Sequence, residues 1–278
     1  MKDLILLLIM VLMASCSSFA QQIPPPLPNS FDMEFVRIKP GKMLVGKIEI
    51  ECPSFPDTRD VPDEIKWTEK DFKLCQEMAE KDSRPGFWVY ISQPYYIGKY
   101  EVTQGQWQAI MGTNPSIFNE DKVGVNTDLH PVDNVTWEMV QELLVKLNNL
   151  DNKYQYRLPT EFEWEYAARA GNDSLLSWSE TRELAWIQQN DKGTTKQVGT
   201  KKPNEWGLYD MLGNVWEWVE DYYNNDVFAD PTPPEEGEIH VLKGGSFTSD
   251  VTNATYLFHG AGPGNGYDVG FRLVRVNR

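Results

Sequence analysis

The chain has 278 residues, 41% of them hydrophobic and 12% aromatic, with 26 Lys and Arg against 41 Asp and Glu, a net charge of −15. That apolar share excludes a disordered acidic tail as the main body, since enough surface can be buried to offset chain entropy. The acidity excludes nucleic-acid binding, because no basic surface is available to replace phosphate counterions. Ten Trp, twelve Tyr and twelve Phe point to a core built from few, large side chains.

The chain opens on an address. Residues 1–20 carry Lys2, an apolar run from Leu4 to Met13, and small residues up to Ala20, the pattern of a secretory signal. The run is too short to span a bilayer, which takes about 20 apolar residues. Two cleavage readings stand side by side. Met13-Ala-Ser-Cys16 resembles a bacterial lipobox, which would leave Cys16 as the lipidated first residue; Ser18-Phe-Ala20 fits the small-x-small rule of ordinary signal peptidase. Either way the chain is exported. Residues 21–32 form a spacer, with four prolines among residues 21–30, which suits an extended tether.

The folded domain spans 33–278, with an acidic insertion at about 50–87. Met33 to Gly46 alternates around Pro40-Gly41 and reads as a strand pair. The insertion holds Cys52 and Cys75, a possible disulfide in an oxidising compartment, bracketing a charged stretch read as a loop. Phe87–Ile91 and Tyr95–Tyr100 are aromatic, β-branched strand candidates. Thr103-Gln-Gly-Gln106 predicts a capping box and a short helix through Trp107 and Ile110, stopping at Gly112. Thr136 caps a second helix whose Trp137, Val140, Leu144 and Leu147 fall at helical spacing. Thr160-Glu-Phe-Glu163 is another capping box, with Trp164 and Ala167–Ala168 inward and Gly171 as the stop. Beyond about residue 172 the sequence reads as loops, short strands and turns.

Chemistry-bearing groups are sparse. His130, His240 and His259 lie far apart, with no metal-ligand spacing, and no GxSxG elbow is present. Asp210 and Glu217 flank Gly213 in a turn-rich stretch with Trp206, Tyr209, Trp216 and Trp218 nearby. In a curved loop they would converge on one hard cation; the alternative is a solvated acidic loop.

Six ordered segments carry a family resemblance: Phe35-Val-Arg-Ile-Lys-Pro-Gly, Tyr96-Ile-Gly-Lys-Tyr-Glu-Val-Thr103, Arg157-Leu-Pro-Thr-Glu-Phe-Glu-Trp-Glu-Tyr-Ala-Ala168, Asn204 to Trp218, His240-Val-Leu-Lys-Gly-Gly-Ser246 and Gly270-Phe-Arg272. The chain resembles the formylglycine-generating enzyme (sulfatase-modifying factor) family over about 33–276. The resemblance implies an α+β class and one formylglycine-generating-enzyme-type domain, related to the C-type lectin fold and low in regular secondary structure. It implies structural Ca²⁺ held by the side chains of Asp210 and Glu217 and the carbonyls of Gly213 and Val215. A second calcium would fall near Trp186–Asn190, without a residue-by-residue placement. Trp216 and Ser246 match residues lining the family's redox pocket.

One departure governs activity. The family's enzymes carry two cysteines shortly after Gly-Gly-Ser, which bind copper and oxidise a substrate cysteine with oxygen. Here residues 244–255 contain no cysteine, and Thr248 and Ser249 stand near the first thiol's place. A hydroxyl supplies no thiolate to a soft Cu(I), so copper is not expected. The resulting expectation is an exported, non-catalytic, calcium-stabilised binding or assembly module of the cell envelope. It would be a periplasmic or outer-membrane lipoprotein of a bacterium if Cys16 carries lipid. Its partner would be an envelope protein or extracellular ligand, met through the segment Phe247 to Val269, in which Tyr256, Phe258 and Tyr267 are expected to be exposed. The alternative is an oxidoreductase of the formylglycine-generating type acting on a protein cysteine.

Overall fold

The computed structural model describes residues 31–46, 68–82, 86–172, 174, 176–191, 193–227, 231–262 and 266–278. The leader, Cys16, the spacer up to residue 30 and Cys52 lie outside these residues. Cys75 is disulfide-bonded. Among the described residues no helix is long and apolar enough to cross a membrane.

In chain order the elements are β1 (Phe35–Ile38), β2 (Gly41–Val45), α1 (Glu69–Asp82), β3 (Phe87–Ile91), β4 (Tyr95–Gly98), α2 (Gln104–Met111), α3 (Glu120–Val123) and α4 (Trp137–Leu150). They continue with β5 (Tyr154–Arg157), α5 (Glu161–Arg169), α6 (Trp178–Leu184), β6 (Trp216–Tyr222), β7 (His240–Lys243), β8 (Gly260–Gly262), β9 (Val269–Phe271) and β10 (Val274–Asn277). One four-stranded sheet runs β1-β4-β10-β5 and is antiparallel throughout, so both ends of the domain meet in it. A second runs β8-β7-β6-β9, with β6 and β9 parallel, and β2 pairs with β3.

The expected pairing of β1 with β2 is corrected: they are consecutive strands of different sheets, with β1 on β4 and β2 on β3. Val36 and Ile38 on one face of β1 are buried in one apolar cluster; on the other face Phe35 is buried in the second cluster while Arg37 is exposed. Alternation reports burial, but says nothing about which strand supplies the hydrogen bonds. A second correction concerns the insertion, where α1 stands in part of the stretch read as a loop.

The caps behave as local chemistry requires. Thr103 Oγ1 accepts from Gln106 N–H, and Gln106 Oε1 accepts from Thr103 N–H, before Gly112 ends α2 at φ 82°. Thr136 accepts from Met139 N–H to open α4. Thr160 and Glu163 repeat the capping box for α5, and Glu163 also pairs with Arg157. The left-handed residue that ends α5 is Ala170, at φ 50°, one position before the expected stop at Gly171.

Strand β6 divides the core. Trp218 joins the cluster under α2 and α4 with Trp107, Leu143, Leu147 and Phe271; Val219 joins the cluster under α5 with Trp164, Ile187, Leu208 and Val241. Trp107, Trp164 and Trp218 are fully buried. Each removes roughly 150–250 Å² from water, worth about 4–6 kcal/mol at ~25 cal/mol per Å² before entropy is subtracted.

Candidate functional site

The approach to β6 is a contorted loop. Asp210, Gly213 and Asn214 have φ of 51°, 75° and 58°, a left-handed region that Gly, Asn and Asp tolerate best. Gly213 is obligatory in a second sense, because a Cβ there would sit 2.2 Å from the carbonyl oxygen of Trp186. Asn214 ties the loop down. Its N–H donates to Trp186 O at 2.8 Å, its carbonyl accepts from Phe247 N–H at 2.9 Å, and its amide oxygen accepts from Lys196 N–H at 2.9 Å. Its Nδ2 donates to Glu101 Oε2 at 2.7 Å.

These turns gather three carboxylates around one guanidinium. Glu101, Asp210, Glu217 and Arg272 are each no more than 2% exposed. Arg272 Nη2 donates to Glu217 Oε1 at 2.6 Å and Nε to Oε2 at 2.7 Å; Trp164 Nε1 also donates to Oε2, at 2.6 Å. Arg272 spends its other donors on the carbonyls of Gly98, Tyr209 and Asp210. Glu101 Oε1 accepts from Val215 N–H at 3.2 Å. Asp210 Oδ2 accepts from Gly199 N–H at 2.6 Å, while Oδ1 is buried with no hydrogen-bond partner among the described residues.

The electrostatics follow from that count. Burial, reinforced by the charges of Asp210 and Glu217, pushes Glu101 well above the usual carboxylate range. Burial pushes Asp210 to about 6, against the pull of the Gly199 N–H and Arg272. A partnerless Asp210 oxygen among hard oxygen donors, with more carboxylates than Arg272 neutralises, fits a Ca²⁺-like cation. Glu217 fits less well as a direct ligand, because both its oxygens already accept from Arg272 or Trp164. Among the described residues no group of three or more His, Cys, Asp or Glu is arranged to hold a metal ion.

A second constellation is formed by residues 246–249 and 266–268. Ser246 Oγ and Thr248 Oγ1 both donate to Asp268 Oδ2, at 2.6 and 2.7 Å, and lie 2.9 Å apart. Ser249 Oγ accepts from Ser246 N–H at 2.9 Å. Trp216 adjoins them, its N–H donating to Asp268 O at 2.9 Å and its ring 5.4 Å from Phe258. Phe118 and Phe247 meet edge to face at 5.0 Å, and Tyr267 closes the group at 6.4 Å from each. Behind them Asp133 is fully buried; it accepts from Ile117 N–H at 2.8 Å and is pushed up to about 7, chiefly by burial.

The structure therefore brings Trp216, Ser246, Thr248 and Ser249 together, and Asp210 with Glu217. Near Trp186–Asn190, Asn190 Oδ1 accepts from Ile187 N–H and Nδ2 donates to Ala185 O, so that loop is held by its own amide. Tyr256, expected to be exposed, is 3% exposed; its hydroxyl donates to Ser174 O. Tyr267 is 51% exposed, as expected. The three histidines go to separate places: His130 to Thr195, His240 between the rings of Trp137 and Tyr222, and His259 to Glu161. Glu101 and Arg272 sat inside noted motifs without a role. Asp268 had no sequence signal at all, standing 22 residues from Ser246.

The fold and this loop chemistry define a scaffold of short strands and buried polar knots. The sulfatase-modifying factor enzyme 1-like domain matches residues 24–277, and the chain belongs to that family. It is 34% identical over 236 residues to the chaperone protein LppX of Paenibacillus barcinonensis, covering 65% of this chain and 80% of that one. It is also 34% identical over 178 residues to the formylglycine-generating enzyme of Thermomonospora curvata, covering 55% of this chain and 53%, about half, of the enzyme. Among solved structures, the Treponema denticola variable protein 1 superposes with a TM-score of 0.63 at 32% identity, over 68% of this chain and 86% of that one. PvdO from Pseudomonas aeruginosa shares the fold, with a TM-score of 0.67 at 22% identity over 90% of this chain and 98% of that one.

Proposed function

We propose that this protein is a non-catalytic member of its family, exported and lipid-anchored through Cys16, that works as a binding or assembly module of the cell envelope. The observation that carries the reading is this: near the place of the family's first thiol stand two hydroxyls, Thr248, which donates to Asp268, and Ser249, which accepts from Ser246 N–H. A hydroxyl is not a soft metal ligand and cannot replace a thiolate on Cu(I). Phe247 to Val269, with Tyr267 exposed beside Phe118, is the binding surface in this reading. The name of the Paenibacillus relative, a chaperone, supports an assembly role. Calcium at Asp210, aided by the Gly213 and Val215 carbonyls and the charge of Glu217, serves stability.

Copper titration combined with oxygen uptake on a cysteine-containing peptide tests the reading. No turnover is expected with or without metal. Metal-dependent oxygen consumption with loss of the peptide thiol would overturn it in favour of the oxidoreductase. Mass spectrometry of the mature N-terminus tests the anchor, and a protein beginning at Gln21 would remove it.

A further inference from the structure

His259 sits in the middle of the proposed binding segment, immediately after Phe258, whose ring packs on Trp216. Its side chain is 6% exposed and stacks on Tyr223 at 4.5 Å. Its two ring nitrogens face two acceptors. Nε2 lies 2.9 Å from Asn224 O, a carbonyl with no hydrogen to give, and Nδ1 lies 2.7 Å from Glu161 Oε1. A neutral imidazole donates from one nitrogen only, so either tautomer would set a lone pair against an oxygen. Only a doubly protonated ring satisfies both contacts.

The surroundings supply the counter-charge. Helix α5 contributes Glu161, Glu165 and Arg169, β7 contributes Lys243, and β6 contributes Asp221. Lys243 Nζ is 3.2 Å from both Glu161 and Glu165, Arg169 pairs with Glu165, and Asp221 accepts from Glu161 N–H. Burial alone would raise the Glu161 carboxyl, but Lys243 and His259 outweigh it and hold it below its ordinary value. Burial pushes Asp221 up to about 6. Lys243, fully buried against Glu161 Oε1, favours the ionised carboxylate, so the oxygen that faces Nδ1 is an acceptor.

We propose that His259 is a proton-dependent clamp: as an imidazolium it ties the segment around Phe258 to α5 and to the chain after β6, and losing one ring proton loosens that segment. Raising the pH then frees Phe258 from its place over Trp216 and softens the surface through which a partner is met. That consequence rests on the proposed binding role of the segment; the clamp itself does not.

The test needs no ligand. In the full chain, ¹⁵N spectra of the histidine rings at about pH 6 are expected to show both His259 nitrogens protonated. Proteolytic cutting between 250 and 262, normalised to a peptide substrate, is expected to speed up about tenfold between about pH 6 and pH 9, the scale of one lost charge-assisted hydrogen bond. His259→Gln, whose amide donates to Glu161 at every pH, is expected to abolish that dependence. A singly protonated ring at about pH 6, or an unchanged pH dependence in H259Q, would overturn the clamp; if H259Q does not fold, the wild-type ring spectra decide alone. A clamp that titrates as expected in a protein that binds no partner would count against the binding role and leave the clamp standing.

Discussion

Arg272 grips both carboxylate oxygens of Glu217, at 2.6 and 2.7 Å, with the two side chains 0% and 1% exposed. The same guanidinium holds the carbonyls of Gly98, Tyr209 and Asp210, so it joins β4, the contorted loop, β6 and the strand end beyond β9. Removing one partner of a buried pair strands the other charge, at about 3–5 kcal/mol. Arg272→Met is therefore expected to lower unfolding free energy by that amount in urea titrations. A loss under about 1 kcal/mol would mean that Glu217 draws its compensation from elsewhere.

If calcium occupies the Asp210 loop, it binds only the native chain and must raise stability, by about 2.7 kcal/mol at a hundredfold excess over its dissociation constant. The melting midpoint should fall in EDTA and recover with added Ca²⁺. Asp210→Asn, which keeps the shape and an acceptor for Gly199 N–H, should remove the response. A wild-type midpoint indifferent to EDTA speaks against the cation.

Asp133 gives a pH signature of its own. Burial first, and then the Asp268 charge, raise its folded-state pKa to about 7 from an ordinary 3.8, with the Ile117 and Phe118 N–H groups pulling the other way. The folded state then holds a proton that the unfolded state gives up. This contribution is fully present below about pH 4 and is lost as pH rises to about 7. Its size is of order 2–4 kcal/mol. Asp133→Asn, with an oxygen still facing Ile117 N–H, should flatten the fall across that window in denaturant midpoints. An unchanged slope would assign the proton to another group.

Arg275 is another buried guanidinium, and among the described residues no anion pairs with it. It is 1% exposed, its Nε and Nη1 have no hydrogen-bond partner among the described residues, and its guanidinium lies 4.3 Å from the Tyr154 ring, 4.5 Å from Phe35 and 5.2 Å from Tyr96. Stacking on three rings partly offsets a desolvation cost of several kcal/mol. Arg275→Met should keep the packing and stay within about 1 kcal/mol of the parent, whereas Arg275→Ala should lose about 3–5 kcal/mol through the cavity it opens. Chemical denaturation of the two variants separates packing from charge.

What the sequence made legible was local. Thr103, Thr136 and Thr160 announced their helices because a cap and its partner lie within one turn. Helix α1 was missed for want of an apolar stripe, since Phe72 is the one buried residue among those of its side chains described. Its cue was Thr68-Glu-Lys-Asp71, where Thr68 N–H donates to Asp71 Oδ2 at 2.6 Å. The pairing of β1, the reach of Glu101 to Asn214 across 113 residues and the grip of Asp268 on Ser246 were not legible. Each depends on where distant backbone ends up, and no short-range spacing encodes that. Tyr256 was misjudged because polar neighbours suggested an outward face; its hydroxyl instead finds Ser174 O inside the fold.

The hydrogen bonds that fasten Asn214 to Trp186, Lys196 and Phe247 all end on main-chain atoms of those residues. The knot is therefore indifferent to the identity of their side chains and sensitive only to the path the chain follows. Such a joint lets the outer loops be re-lettered freely while their roots stay put, much as a socket accepts different tools of one gauge.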